Sequence, residues 1–521
     1  MIAWIELMKE ISLRHEPHRL GVLTFLKKAR AAVPLAVGLL LAGCSTAPSY
    51  QRPALAVPAA FKEATPLAAE LGVWQTARHG GASEDGLAPP ATIPSAWWTL
   101  YGDATLNQLQ DQAASTSPSV EQAVARLRAA QAAVASSRAG LFPTLGASGS
   151  GSRARAGNAS SSNASAGAGI NSSYSLGLNA NWELDLWGRL SGQVDASQLS
   201  AQASQDDLAA ARLSSQATLA QTYFSLRAAE AQVQLLRDSL QVYLQSWELT
   251  QNRYRAGVVS SADVAQAEAQ YKTTQVQLLE AQTTRTQFEH ALAALQGQAP
   301  ALFSLPVTGQ LPAPPQVPGL LASTLLEQRP DIAAAERRMA AANAQVGVAR
   351  AAYFPALTLS AAGGYRSSTL SSLLSAPNLF WSLGPGLALA LFDGGARTAA
   401  VESARAALDL AGATYKQTVL TALQEVEDNL VAATHLAQEQ QIQAEAVAAA
   451  QKALTVVNNQ YKAGTVAYLN VLSAQTAVLS AQNSLVSVQN RRLAAINTLL
   501  KNVAGRWEPL QAASPQTRMA Q

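Results

Sequence analysis

The residue types most often used for chemistry are thinly spread along this sequence. Its five histidines, His15, His18, His79, His290 and His435, are scattered and show no metal-ligand spacing. Neither a Gly-rich phosphate loop nor a nucleophile elbow occurs. A chain of this kind is expected to be no enzyme and to need no cofactor or metal. Two kinds of group remain. One is the single cysteine, Cys44, which cannot form an intrachain disulfide. The other is a set of carboxylates at two places: Glu183 and Asp185 in an alternating segment, and Asp263 just after a Tyr-basic-Ala-Gly motif.

Cys44 sits in a context that gives its thiol a use. Lys27, Lys28 and Arg30 precede an apolar run over 31–41, too short to span a bilayer as a stable helix. Leu41-Ala42-Gly43 then leads into the cysteine. Basic region, apolar region and small residues before Cys together resemble a bacterial lipoprotein signal peptide. By that resemblance 1–43 is a signal peptide and Cys44 becomes an acylated N-terminus. Ser45 follows, where an Asp would resemble an inner-membrane retention signal.

Asp263 belongs to a motif that occurs twice. Tyr254-Arg255-Ala256-Gly257 and Tyr461-Lys462-Ala463-Gly464 lie 207 positions apart, each between long Ala- and Gln-rich segments with helical periodicity. A glycine just past a helix is the usual left-handed cap. Each motif is therefore expected to form the tip of a long helical hairpin, at 253–264 and 460–471. Asp263 follows Ser260 by three, the spacing of a capping box. The duplication reaches further: Pro118, Arg126, Arg138, Phe142 and Pro143 meet Pro330, Arg338, Arg350, Phe354 and Pro355 at an offset of 212. A period near 200 residues is too long for a solenoid. It marks two halves of one domain, 111–297 and 323–505, each reading helix, strand, loop, strand, very long helix, tip, helix.

Strict alternation is the second signal. Tyr174, Leu176, Leu178, Ala180, Trp182 and Leu184 fall on one side, opposite Ser175, Gly177, Asn179, Asn181, Glu183 and Asp185. One apolar and one polar, partly acidic face suits a transmembrane barrel strand with lipid outside and water inside. A mild cation preference could follow from such a lining. Strands are expected at about 143–155, 172–186, 355–367 and 378–392, the first being the poorest because it is rich in Gly and Ser. Leu389 and Leu391 extend the alternation of the last. Four strands cannot close a barrel, and lipid does not tolerate an open edge. The chain must oligomerise: two copies give 8 strands and three give 12.

Charge and composition fit this picture. The net charge of +3 is small and its basic residues are dispersed, which argues against nucleic acid. Hydrophobic residues make up 48%, but alanine supplies many of them, which suits long helices in layers better than a thick core. The helical stretches 190–255 and 408–462 are too polar for lipid and must project from the membrane. At 44–110 the chain is largely irregular, with the Trp97-Trp98 pair expected to be a packed anchor. A Pro-rich crossing covers 298–322, and 506–521 reads as a loose tail.

Together the lipobox, Pro48-Ser-Tyr-Gln-Arg-Pro53, Trp97-Trp-Thr-Leu-Tyr-Gly-Asp103, both Phe-Pro junctions, the two Tyr-basic-Ala-Gly motifs and Tyr468-Leu-Asn-Val-Leu-Ser-Ala-Gln475 resemble the outer-membrane efflux proteins. These are the TolC-like outer membrane factors, and the match is to their lipoprotein branch, which serves resistance-nodulation-division multidrug pumps. The resemblance covers the chain after the signal peptide. It implies an α+β membrane protein: a homotrimer with a 12-stranded β-barrel in the outer membrane, continued by a 12-helix tunnel through the periplasm. It also implies a periplasmic adaptor at the tips and an inner-membrane, proton-driven transporter beyond it. By position, Leu469, Ser473 and Asp263 would form the periplasmic gate, while Gly257, Gly464, Tyr254 and Tyr461 would shape the tips and meet the adaptor. Some relatives carry Asp where Ser473 stands. The readings left open are a duct for type I protein secretion and, in a different class, a coiled-coil envelope lipoprotein.

Overall fold

The computed structural model describes residues 48–50, 96–155, 170–315 and 329–503. Cys44, the expected signal peptide and the C-terminal tail lie outside the described residues. Two compact units divide the chain, one from 1–49, 136–195 and 343–405, the other from 50–135, 196–342 and 406–521.

The first unit holds four strands, β1 (Thr144–Arg155), β2 (Ile170–Leu184), β3 (Ala356–Ser367) and β4 (Leu379–Ala388), in one antiparallel sheet of order β1-β2-β3-β4. Its register keeps the alternation in step across all four. Ala180 stands opposite Leu145 and Ala361, and Ala361 stands opposite Leu383. One face therefore carries Leu145, Leu178, Trp182, Leu359, Leu383 and Leu387, and several of these are well exposed: Leu145 at 75%, Leu383 at 65% and Leu387 at 70%. The opposite face is polar, with Ser360 Oγ donating to Asn181 Oδ1 at 2.9 Å. Such a sheet has no water-shunning interior of its own; its apolar side needs a different solvent. β1 forms over its full length despite its glycines. The Tyr174 ring of β2 covers one of them, Gly151, closely enough that a Cβ there would meet it at 3.3 Å.

Two expectations at the sheet are corrected. β4 ends at Ala388, four residues before 392. Leu389 and Leu391 keep the alternation in sequence, but Asp393 accepts from the backbone N–H groups of Gly395 and Arg397 and pairs with the Arg397 guanidinium at 2.6 Å. That turn commits the chain to the next helix. Asp185 likewise leaves the polar face: β2 ends at Leu184, and the Asp185 carboxylate accepts from Leu190 N at 2.9 Å and Ser191 N at 2.7 Å. A carboxylate there complements the unpaired N–H groups and positive end of the helix it caps. Those bonds hold its pKa below the usual carboxylate value, against the opposing effect of burial.

The helices are α1 (Ala104–Thr116), α2 (Pro118–Ala139), α3 (Arg189–Arg255), α4 (Ser261–Leu295), α5 (Pro330–Ala351), α6 (Ala396–Lys462) and α7 (Tyr468–Val503). α2 and α5 have 22 residues each, and α3 and α6 have 67 each. At about 1.5 Å per residue, 67 residues extend roughly 100 Å. α6 begins twelve residues before 408, because Asp393 starts it directly behind β4. The core of the second unit gathers Trp97, Leu106, Leu219, Tyr223, Phe224 and Leu499, all essentially buried. Trp97 and Trp98 are the expected anchor, with 0% and 9% exposure. Asp103 joins this core to α1: it caps the helix through Thr105 N and Leu106 N and accepts from Tyr223 Oη at 2.6 Å.

The described part of the Pro-rich crossing is held by buried charge. Glu230 and Arg227, each 1% exposed, pair at 2.7 Å. Glu230 also accepts from the backbone N–H groups of Thr308 and Gly309, while Arg227 donates to Pro306 O and Arg285 to Leu305 O. A segment that cannot form a ladder of its own thus has its polar backbone satisfied by side chains of α3 and α4.

Candidate functional site at the two helical tips

Both tips turn by the same backbone device. At the first, Val258 N donates to Arg253 O and Gly257 N to Tyr254 O, each at 2.9 Å; at the second, Thr465 N donates to Gln460 O and Gly464 N to Tyr461 O, each at 3.0 Å. This is the Schellman arrangement, which requires a left-handed residue. Gly257 has φ 75° and Gly464 φ 77°. Nothing lies within 4 Å of a Cβ placed at either position, so the backbone angle and not crowding selects glycine.

Beyond the turns the two tips differ. Ser260 and Asp263 form a complete capping box at the start of α4, with Asp263 N donating to Ser260 Oγ and Ser260 N to Asp263 Oδ2 at 3.1 Å. The Asp263 carboxylate is therefore engaged in holding its own helix. The positions 207 residues later are Ala467 and Asn470, and α7 starts at Tyr468 behind an alanine that has no side chain to cap with.

The second tip is secured by packing instead. Tyr461, Tyr468, Val471 and Ala267 are buried together, and the two tyrosine rings meet edge to face at 5.8 Å. Arg253 reaches across from α3: its guanidinium stacks over the Tyr461 ring at 4.5 Å and donates to Tyr461 O at 3.0 Å and Lys462 O at 3.2 Å. A cation on the last carbonyls of α6 satisfies acceptors that have no partner within the helix and meets the negative end of its dipole. Burial holds the Tyr468 phenol above its ordinary pKa; Ser246 acts the other way, and Tyr461 and Asp263 add to the rise.

Leu469 and Ser473 lie one turn apart on α7, and Ser473 Oγ donates to Leu469 O at 2.9 Å. Leu469 is 54% exposed. The structure thus brings these two onto one open stripe, while Asp263 stands on the other hairpin. Tyr254 is half-exposed, but Tyr461 is only 5% exposed. Tyr461 is therefore not offered to a partner, because Arg253 and Tyr468 cover it. Arg253 is the residue that sequence reading missed. Its signal was a mismatch within the repeat, since its counterpart 207 positions on is Gln460. Among the described residues, no cluster of histidine, cysteine and carboxylates could hold a metal.

The outer membrane efflux protein family model matches residues 109–298 and 321–505, nearly the two halves read from the internal repeat. The chain is 32% identical to outer membrane protein OprJ of Pseudomonas aeruginosa over 485 residues, covering 92% of this chain and 97% of that one. It is 30% identical over 480 residues to the toluene efflux pump outer membrane protein TtgC of Pseudomonas putida, covering 92% and 96%. Its fold matches the outer-membrane channel OprN with a TM-score of 0.77 and 30% identity, over 89% of this chain and all of that one. With the amphipathic sheet and the paired hairpins, these matches show that the chain belongs to the outer membrane efflux protein family, with strands in the outer membrane and helices extending into the periplasm.

Proposed function

We propose that three copies join their sheets into a 12-stranded barrel, continue it as a helical tunnel, and act as the passive outer conduit of a tripartite efflux system. The cargo is drugs, solvents or other small toxic compounds. One observation carries this reading. The sheet has one apolar and one polar face, and its β1 and β4 edges have no neighbour among the described residues. Lipid requires that those edges be paired. β1 and β4 run in opposite directions, so β4 of one copy can join β1 of the next in the same antiparallel sense. Three copies give 12 strands and an open lumen. Nothing in such a conduit needs a catalyst, and selection of cargo lies with an inner-membrane resistance-nodulation-division transporter reached through a periplasmic adaptor. Acylation of Cys44 would add a lipid anchor.

The tips supply the gate. Leu469 gives an apolar ring when repeated threefold, with Ser473 in place of an acidic ring one turn along. Asp263 contributes through the cap it forms, fixing the start of α4. Gly257, Gly464 and the half-exposed Tyr254 shape the surface that meets the adaptor. The test is conductance of the purified protein in planar bilayers, with electron microscopy of the same sample without imposed symmetry. A threefold hollow particle of low conductance, opened severalfold by Leu469→Ser, is expected. A solid rod or a twofold particle would sink the conduit.

A further inference from the structure

Two arginines stand where the sheet's apolar side ends. The register puts Arg153 opposite Ser172 and Arg155 opposite Ile170, on the same face as Leu145 and Tyr174 and not on the polar face. Both are exposed. Neither makes a hydrogen bond or ion pair among the described residues, unlike Arg189 and Arg397 at the other end of the sheet, which pair with Glu183 and Asp393. A different arginine, Arg366, lies on the polar face over the Phe380 ring.

Position along the strand fixes what these two meet. Trp182 and Tyr174 bound the apolar stretch of β2. The eight steps between them at about 3.3 Å, tilted by about 40°, give roughly 20 Å of height, close to the apolar band of an outer-membrane barrel. Tyr174 and Tyr365 share that face near its far end, where aromatic side chains mark a membrane boundary. Arg153 and Arg155 follow two and four positions beyond Gly151, the partner of Tyr174. They emerge on the lipid side, just past the hydrocarbon, at the end away from the helices. There the groups within reach are lipid headgroups of the outer leaflet.

We propose that Arg153 and Arg155 form a binding site for phosphorylated headgroups of outer-leaflet lipid. Guanidinium groups bind phosphate through two parallel N–H donors, and a pair at i and i+2 on one strand face presents two such forks to one headgroup. β1 is an edge strand, so in the trimer each site lies at a junction between copies and a bound lipid touches both. This inference rests on the barrel reading above.

The test uses the full-length trimer in detergent, with a bisphosphorylated lipid A as probe, its dephosphorylated form and inorganic pyrophosphate as controls, and lipid occupancy by native mass spectrometry. Occupancy by the bisphosphorylated lipid alone is expected. Arg153→Gln with Arg155→Gln should weaken it by roughly thirtyfold, about tenfold or less for each arginine near an anionic surface. Arg153→Lys with Arg155→Lys keeps the charge but loses the two-donor forks, so it should bind severalfold more weakly than the unaltered protein, which keeps the test decisive where the Gln variant fails to assemble; unchanged binding by the Lys variant would overturn the guanidinium site. Equal binding by the Gln variant or by the dephosphorylated lipid would overturn the site. Displacement by pyrophosphate would make it a free-anion site and overturn it as a lipid site. Absence of any trimer in the unaltered protein would instead sink the barrel reading.

Discussion

The first and second hairpin tips share a turn but not a means of support. Their Schellman bonds match residue for residue at an offset of 207. The first then holds itself with a local device, the Ser260–Asp263 capping box. The second has alanine at the equivalent place and relies on buried tyrosines and on Arg253, a residue of the other hairpin. Local devices survive when a neighbour moves; borrowed ones do not. The second tip is thus the one whose order depends on contact between hairpins, and it also carries Leu469 and Ser473.

The largest test of that asymmetry is the tyrosine pair. Tyr461→Ala removes a buried ring and should cost the second tip about 3 kcal/mol, whereas Tyr254→Ala should change the first by less than about 0.5 kcal/mol. Amide hydrogen exchange over 455–470 and 248–263 reads both; equal effects would erase the distinction. Next comes Arg253→Ala, which removes two charge-assisted bonds and a cation–π contact from a partly exposed site. A loss of about 2 kcal/mol is expected, seen as faster exchange at the second tip with the first unchanged. If the first tip loosened equally, the support would be mutual.

Gly257→Ala and Gly464→Ala sharpen the shared part. Each forces a Cβ into the left-handed region in open space, so each should cost about 1 kcal/mol, and the two should agree in thermal melts. The smallest effect concerns the caps. Ser260→Ala should destabilise the start of α4 by about 1 kcal/mol, and Ala467→Ser with Asn470→Asp should add somewhat less than that to α7. Exchange at 468–472 that failed to slow in the double variant would show that packing already fixes that end.

Much of this was legible in the sequence because it repeats. The equal spacing of Pro118 and Pro330 foretold two helices of one length, and the alternation through Trp182 foretold a two-faced strand. Errors arose where a local pattern ran on past a tertiary boundary. Leu389 and Leu391 alternate like strand residues, yet the Asp393–Arg397 pair starts a helix there. Asp185 alternates with Glu183, but it serves the helix that begins four residues later. Arg253 was illegible for a different reason: its partners, Tyr461 and Lys462, are more than 200 residues away. No periodicity within one segment reports such a contact.

The matching lengths of α3 and α6 have a further consequence. In a helix, one inserted residue turns every later side chain by about 100° and advances the tip by about 1.5 Å. The offset between the two is 207 both where they begin, at Arg189 and Ala396, and where they end, at Arg255 and Lys462. Since the halves diverged, neither helix has gained a net residue relative to the other. Helix length in this protein behaves as a phase. Substitutions such as Arg253 opposite Gln460 leave that phase unchanged, but a single insertion would put one hairpin out of step with its twin.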